Sequence, residues 1–210
     1  MLNKTCNDFI DELGSNAPVP GGGSCAALVA ALGAALGTMV GELTTGKKTY
    51  ACYQEEITSL LEKTRSLTEE MKQSVQKDID AFYPLSEVYR MPSSTEEEKA
   101  ARETALQLRL YDAAEAPLEL CEQCCRAMKL FDRLAVVGSR LAVSDVGCGV
   151  SLCAAALKSA KLNVLINLKS MKDPEQKAGL QARLDKAAEE GLALAEKIYR
   201  NVEEGLCQQN

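Results

Sequence analysis

Apolar residues recur along this chain at helical spacing, and no run alternates with the period of two that marks a half-buried strand. Residues 3–14 read as a short amphipathic helix, with Phe9, Ile10 and Leu13 on one face and Gly14 at its end. Residues 15–24, Ser-Asn-Ala-Pro-Val-Pro-Gly-Gly-Gly-Ser, concentrate helix breakers and predict a non-helical loop. Residues 25–43 carry a single charge, Glu42, and predict a helix that is apolar on all sides and buried at the centre of a bundle. Gly33, Gly37 and Gly41, spaced by four, are expected to line one bare face that another helix approaches closely. Ile57, Leu60, Leu61, Leu67, Met71, Val75, Ile79 and Phe82 give a long helix over 53–82, with a kink or break at Pro84. Val88, Tyr89 and Met91 continue it until Pro92.

Ser93 to Glu98 start a further helix, with acidic residues in its first turn, that runs to about 130 and is interrupted or kinked near Pro117. Residues 131–160 and 161–171 are again rich in apolar residues, and Asp173-Pro174-Glu175 opens a last amphipathic helix to about 205. The pattern predicts an all-α protein: one helical bundle over residues 1–210, with six or seven helices and long Ala/Gly-rich buried segments. Glycine-rich faces beyond what one bundle covers point to a homodimer. The 26 residues from Asn16 to Gly41 hold no charge, but Ala and Gly dilute their hydrophobicity, so a buried core helix is expected rather than a membrane span.

Composition narrows the chemistry. The chain has 210 residues and no His, which excludes Ser-His-Asp and Cys-His catalytic units and any His-bearing metal site. A general acid or base must be Asp, Glu, Lys, Tyr or Cys in a shifted environment. A net charge of −6 disfavours nucleic acid as a partner. Nine cysteines, an odd number with no secretory leader ahead of them, are expected to be reduced thiols in the cytoplasm.

Three motifs fail on their context. Gly21-Gly22-Gly23-Ser24-Cys25-Ala26 fits a dinucleotide fingerprint, but Pro-Val-Pro precedes it where a strand is needed. Gly41 to Lys48 nearly fits a phosphate-binding loop, but Lys48 stands where a magnesium-binding hydroxyl is required. Cys121-Glu-Gln-Cys124-Cys125 lacks a second cysteine pair at zinc spacing and reads as core thiols on one helix face, so no metal is expected.

Three segments remain unlike ordinary bundle sequence. Pro18-Val19-Pro20-Gly21-Gly22-Gly23-Ser24 runs straight into a helix, whose free N–H groups suit a carboxylate or phosphate; it also reads as a plain loop with Ser24 as the cap. Gly46-Lys47-Lys48-Thr49-Tyr50 follows a helix C-terminus, where lysines either complement the helix dipole or gather an anion. Ser144-Asp145-Val146-Gly147 places a carboxylate in apolar surroundings, as a helix cap or toward a partner, and Asp78, ahead of Ala81-Phe82, interrupts an apolar face in the same way.

These segments, with Tyr89-Arg90-Met91-Pro92 and Asn163-Val-x-Ile166-Asn167, occur in an order that resembles the C-terminal, cyclodeaminase/cyclohydrolase part of the formiminotransferase-cyclodeaminase family, over about residues 3–205. The resemblance implies an all-helical, dimeric fold and a tetrahydrofolate one-carbon substrate, with no cofactor. It implies either hydrolysis of 5,10-methenyltetrahydrofolate to 10-formyltetrahydrofolate, the favoured reading, or closure of 5-formiminotetrahydrofolate with loss of ammonia. A non-catalytic helical dimer that binds folate or a protein is the reading from another class. Both reactions pass through a tetrahedral carbon between N5 and N10 and need proton transfer to and from that centre. Without His, the candidates are Asp145 and Asp78 as catalytic carboxylates and Lys48 as acid or electrostatic orienter. Pro20, Gly21, Gly22, Gly23, Ser24, Lys47, Tyr50, Phe82 and Ser144 are the candidate substrate-binding residues, the glycine loop and Lys47 suiting the substrate's glutamate carboxylates.

Overall fold

Local sequence fixes three of the helix starts. Thr5 caps the first helix and Thr95 the fourth, each in a reciprocal box with the acid three residues on, Asp8 and Glu98. Asp173 caps the last, and Pro174 fills its first position. A computed structural model of the chain describes residues 2–208. Its helices are α1 (Cys6–Leu13), α2 (Gly22–Thr44), α3 (Gln54–Tyr89), α4 (Glu96–Val137), α5 (Val143–Ser170) and α6 (Pro174–Cys207). Short 3₁₀ turns at Lys48–Tyr53 and Arg140–Ala142 lead into α3 and α5, and no strand occurs among the described residues.

Several boundaries differ from expectation, each for a physical reason. The breaker cluster ends at Gly21, not Ser24: Gly22, Gly23 and Ser24 form the first turn of α2. A first turn requires no intrahelical N–H bond, so glycines are tolerated there. Pro84 and Pro117 do not end their helices; each forfeits one backbone bond, and buried neighbours such as Leu85, Leu118 and Leu120 hold the segments in place. The apolar tract after 131 is divided at Gly138 instead of running on to 160.

Helices α2, α3, α4 and α5 pack in sequence around a ring, α2 also touches α4 across it, and α6 lies against α4 and α5. Helices α2 and α5 run antiparallel: Gly22 lies beside Asn163, the Cys153 thiol reaches Ala30 O at 3.8 Å, and the Ser139 N–H donates to Thr44 Oγ1 at 2.8 Å. The three glycines of α2 do not share one neighbour. Gly33 receives Cys153 and Gly149 of α5, Gly37 receives Phe131 of α4, and Gly41 receives Leu61 of α3. Four residues advance the helix by about 40° beyond a full turn, so a spacing of four walks around the axis.

The glycines therefore serve packing within the chain, and the expectation that surplus glycine faces mark a dimer loses its basis. Helix α2 is also not buried all round: Leu32 is 55% exposed and Leu43 47%. Besides α2, the segment Arg140–Ser170 is long and apolar enough to cross a membrane, a second such stretch that sequence reading overlooked. The inner faces of both are packed in the bundle.

Cys121, Cys124 and Cys153 are buried. Burial pushes the Cys121 and Cys153 thiols up to about 12 and the Cys124 thiol well above its ordinary range, so they are neutral core groups rather than thiolate nucleophiles.

Candidate active site

The N-terminus of α2 gathers more than half of the candidate residues. Pro20 is buried and follows a cis peptide bond, and Gly21 forms the helix cap without any side-chain bond. Ser24 is not the cap. It lies inside the first turn, fully buried, and its hydroxyl donates to Asp78 Oδ2 of α3 at 2.6 Å. Burial raises the Asp78 carboxyl above its ordinary range, and hydrogen bonds from the Ser24 hydroxyl and backbone draw it only part of the way back. A half-buried carboxyl whose pKa is raised by burial is suited to hold and return a proton.

The glycines make this approach possible. A Cβ at Gly23 would lie 1.9 Å from Asp78 Oδ1 and 2.5 Å from its Cγ, so only glycine lets the carboxyl come so close. A Cβ at Gly22 would meet the Asn163 amide of α5 at 3.4 Å, an ordinary contact. Asn163 Nδ2 donates to Ser159 O at 2.9 Å. One turn on, the buried Asn167 Nδ2 donates to Ala113 O at 2.7 Å and to Asn163 O at 2.9 Å. Phe82, one turn beyond Asp78 on α3, packs partly buried against the core. The first turn of α2 is thus flanked by a carboxyl from α3 and a carboxamide from α5. Sequence reading quoted Asn163 without giving it a role; its signal was the spacing of Asn163 and Asn167, one helical turn apart.

Lys47, Lys48, Tyr50, Ser144 and Asp145 lie at the other end of α2. From Ser24 to Thr44 the helix rises about 30 Å. Gly46, at φ +75°, reverses the chain there. Lys47 Nζ donates to Ser139 Oγ at 3.1 Å, and Tyr50 Oη accepts from the Arg140 N–H at 2.9 Å, so both fasten this turn to the entry of α5. Lys48 is exposed and makes no ion pair among the described residues. Asp145 stands in the first turn of α5, where a carboxylate complements the positive helix end. Ser144 does not cap that helix: Ala142 holds the cap position. Ser144 instead opens onto a cavity of about 760 Å³ between α5 and α6, lined also by Cys148, Tyr199 and Glu203 but not by Asp78.

Within one chain, then, the candidates form two groups. Gly21 to Ser24, Asp78 and Phe82 come together, while Lys48 and Asp145 are a helix length away.

The sequence profile of the formiminotransferase-cyclodeaminase family matches residues 5–186. The chain belongs to this family. It is 37% identical over 200 residues to the methenyltetrahydrofolate cyclohydrolase of Methylorubrum extorquens, covering 95% of this chain and 96% of that one. It is 32% identical over 203 residues to the formimidoyltransferase-cyclodeaminase of Mus musculus, of which it spans 38%. Its fold matches the crystal structure of formiminotetrahydrofolate cyclodeaminase from Thermotoga maritima with a TM-score of 0.84, at 27% identity over 98% of each chain. Family members thus carry names for both reactions, on one helical fold.

Proposed function

We propose that this chain is a cytoplasmic methenyltetrahydrofolate cyclohydrolase that converts 5,10-methenyltetrahydrofolate to 10-formyltetrahydrofolate as a homodimer, without a resident metal or cofactor. The observation that carries the reading is the end-to-end match to a cyclohydrolase, 37% identical over 95% of this chain. The Asp78 carboxyl held by Ser24 at the start of α2 supports it. Nine unpaired thiols fit a reducing compartment.

Water adds to the cationic carbon between N5 and N10, and Asp78 takes the proton that water sheds. In the resulting tetrahedral species the carbon–N5 bond breaks. Its electron pair stays on N5, which receives the proton from Asp78, while the hydroxyl on carbon becomes the formyl carbonyl and releases its own proton to solvent. The sum is one water consumed and one proton released. Ser24 positions the Asp78 carboxyl for this exchange through its hydroxyl, at 2.6 Å from Oδ2, and through its backbone. The start of α2, whose cap Gly21 makes no side-chain bond, offers positive potential to a glutamate carboxylate of the substrate.

The cyclodeaminase reading is favoured by one observation, the close match of fold to the Thermotoga maritima enzyme. The two are separated by assaying purified protein with each substrate. Protein-dependent loss of the methenyl absorbance supports the cyclohydrolase. Ammonia release from 5-formiminotetrahydrofolate without that loss overturns it in favour of the deaminase, and silence in both leaves a non-catalytic binder.

A further inference from the structure

Asp78 serves the proton in the proposed reaction, and the oxygen that water adds to the one-carbon centre needs a partner of its own. A second polar side chain faces the same turn of α2. Gly22 and Gly23 are consecutive, and each admits a group from a different helix: Gly23 the Asp78 carboxyl of α3, and Gly22 the Asn163 carboxamide of α5. A Cβ at Gly22 would lie 3.4 Å from Asn163 Nδ2, 3.5 Å from Oδ1 and 3.9 Å from Cγ, so the polar edge of the amide, not its stem, faces the turn. Cβ positions on adjacent helical residues are about 5 Å apart, which puts the amide and the carboxyl within about 10 Å of each other. An N–C–O group with a hydrogen bond at each end spans about 8 Å.

Asn163 is held for such a contact. The buried Asn167 donates to Asn163 O at 2.9 Å and to Ala113 O of α4 at 2.7 Å, which pins the α5 backbone at Asn163. Asn163 Nδ2 gives one hydrogen to Ser159 O at 2.9 Å. Its second hydrogen and Oδ1 have no partner among the described residues. No fully buried side-chain polar atom there lacks a bond, so these free groups of the half-buried Asn163 open to solvent beside the turn. A neutral donor also suits the chemistry. The substrate carbon is cationic and would be repelled by a lysine, but not by an amide N–H. As the tetrahedral hydroxyl becomes a carbonyl, its oxygen gathers negative charge, and a fixed N–H stabilises it.

We propose that Asn163 is a further substrate-contacting residue, whose carboxamide N–H binds the oxygen carried by the one-carbon centre, in the tetrahedral species and in the formyl product. Asp78 and Asn163 then hold the reacting group from α3 and α5, on the two sides of the glycine turn. This inference rests on the cyclohydrolase reading above.

Two ligands that differ only in the formyl group test it. Titration calorimetry under anaerobic conditions gives Kd for 10-formyltetrahydrofolate and for tetrahydrofolate, with wild type, Asn163→Ala and Asn163→Asp. Asn163→Ala should bind the formyl ligand about 10-fold more weakly, the effect of one hydrogen bond, and tetrahydrofolate within about two-fold of wild type. Its kcat for methenyltetrahydrofolate hydrolysis should fall about 100-fold, as for loss of one donor to a developing oxyanion, with little change in KM. Asn163→Asp keeps the size of the side chain but loses the donor, so it should show the same selective loss, and it carries the test if the Ala variant fails to fold. Equal weakening toward both ligands, unchanged affinity for the formyl ligand, or a kcat within about two-fold of wild type in a folded variant overturns the inference. Wild type that binds neither ligand overturns the cyclohydrolase reading and the inference with it. Full hydrolysis by Asp78→Asn, alongside the selective loss in Asn163→Ala, overturns the role of Asp78 and supports that of Asn163.

Discussion

Replacing Gly23 by Ala should disable the enzyme without unfolding it. The new methyl carbon would lie 1.9 Å from Asp78 Oδ1, whereas ordinary contact begins near 3.4 Å, so the carboxyl must retreat by about 1.5 Å. Asp78 is short and tied to Ser24 at 2.6 Å, so it cannot make way by swinging a long side chain; the retreat breaks that bond and misplaces the proton-transfer group. A misplacement of about 1 Å at a reacting centre costs roughly 100-fold in rate, or about 2.7 kcal/mol of barrier. The helix itself should tolerate the change, since Ala is a better helix former than Gly by roughly 1 kcal/mol. Gly22→Ala is the matched control, one residue away, where the methyl meets the Asn163 amide at 3.4 Å. The assay is the initial rate of methenyltetrahydrofolate loss for both variants, with circular dichroism to confirm their helix content. Gly23→Ala should fall about 100-fold in kcat, and Gly22→Ala only a few-fold. Equal activities in two folded variants, or the larger loss at Gly22, would refute the reasoning.

Asp78→Asn should lower kcat by about 1000-fold. It should also raise Tm at neutral pH. Burial raises the pKa of Asp78 in the fold, so ionising it costs stability as pH rises from the unfolded value of 3.8 through the folded one, and Asn escapes the cost; the gain should vanish only well below pH 3.8, where the wild-type carboxyl is protonated in both states. Ser24→Ala removes a bond that favours the ionised carboxyl, so the limb of the pH–rate profile assigned to Asp78 should move to higher pH. Thr44→Val leaves the buried Ser139 N–H without its acceptor and should cost about 1–3 kcal/mol in urea denaturation while kcat changes little.

The all-α architecture was legible because the period of 3.6 is written in Ile57, Leu60, Leu61 and their successors, and because the segments around Thr95 and Asp173 mark helix starts, whereas the Thr5 cap, two residues into the stretch read as helix, was not picked out. Less visible was which side of α2 is buried. A helix of Ala, Leu, Val and Gly has almost no polar marker of orientation, so it read as buried all round when one face is open. The same blankness made Gly33, Gly37 and Gly41 look like one face when they serve three neighbours. At the site, Asp78 and the Gly21–Ser24 segment were individually apparent. That Ser24 would reach Asp78, 54 residues away, depended on the pairing of α2 with α3, which no local pattern encodes. Lys48 and Asp145 were grouped with Asp78 by chemistry alone, and a helix about 30 Å long separates them within the chain.

The central claim is that Asp78 moves the proton in methenyltetrahydrofolate hydrolysis. Its most direct test is single-turnover decay of the methenyl absorbance with enzyme in excess, for wild type and Asp78→Asn in parallel. The account predicts rapid decay with wild type and, with the variant, decay at the spontaneous rate although the substrate still binds. Equal decay in both would contradict it.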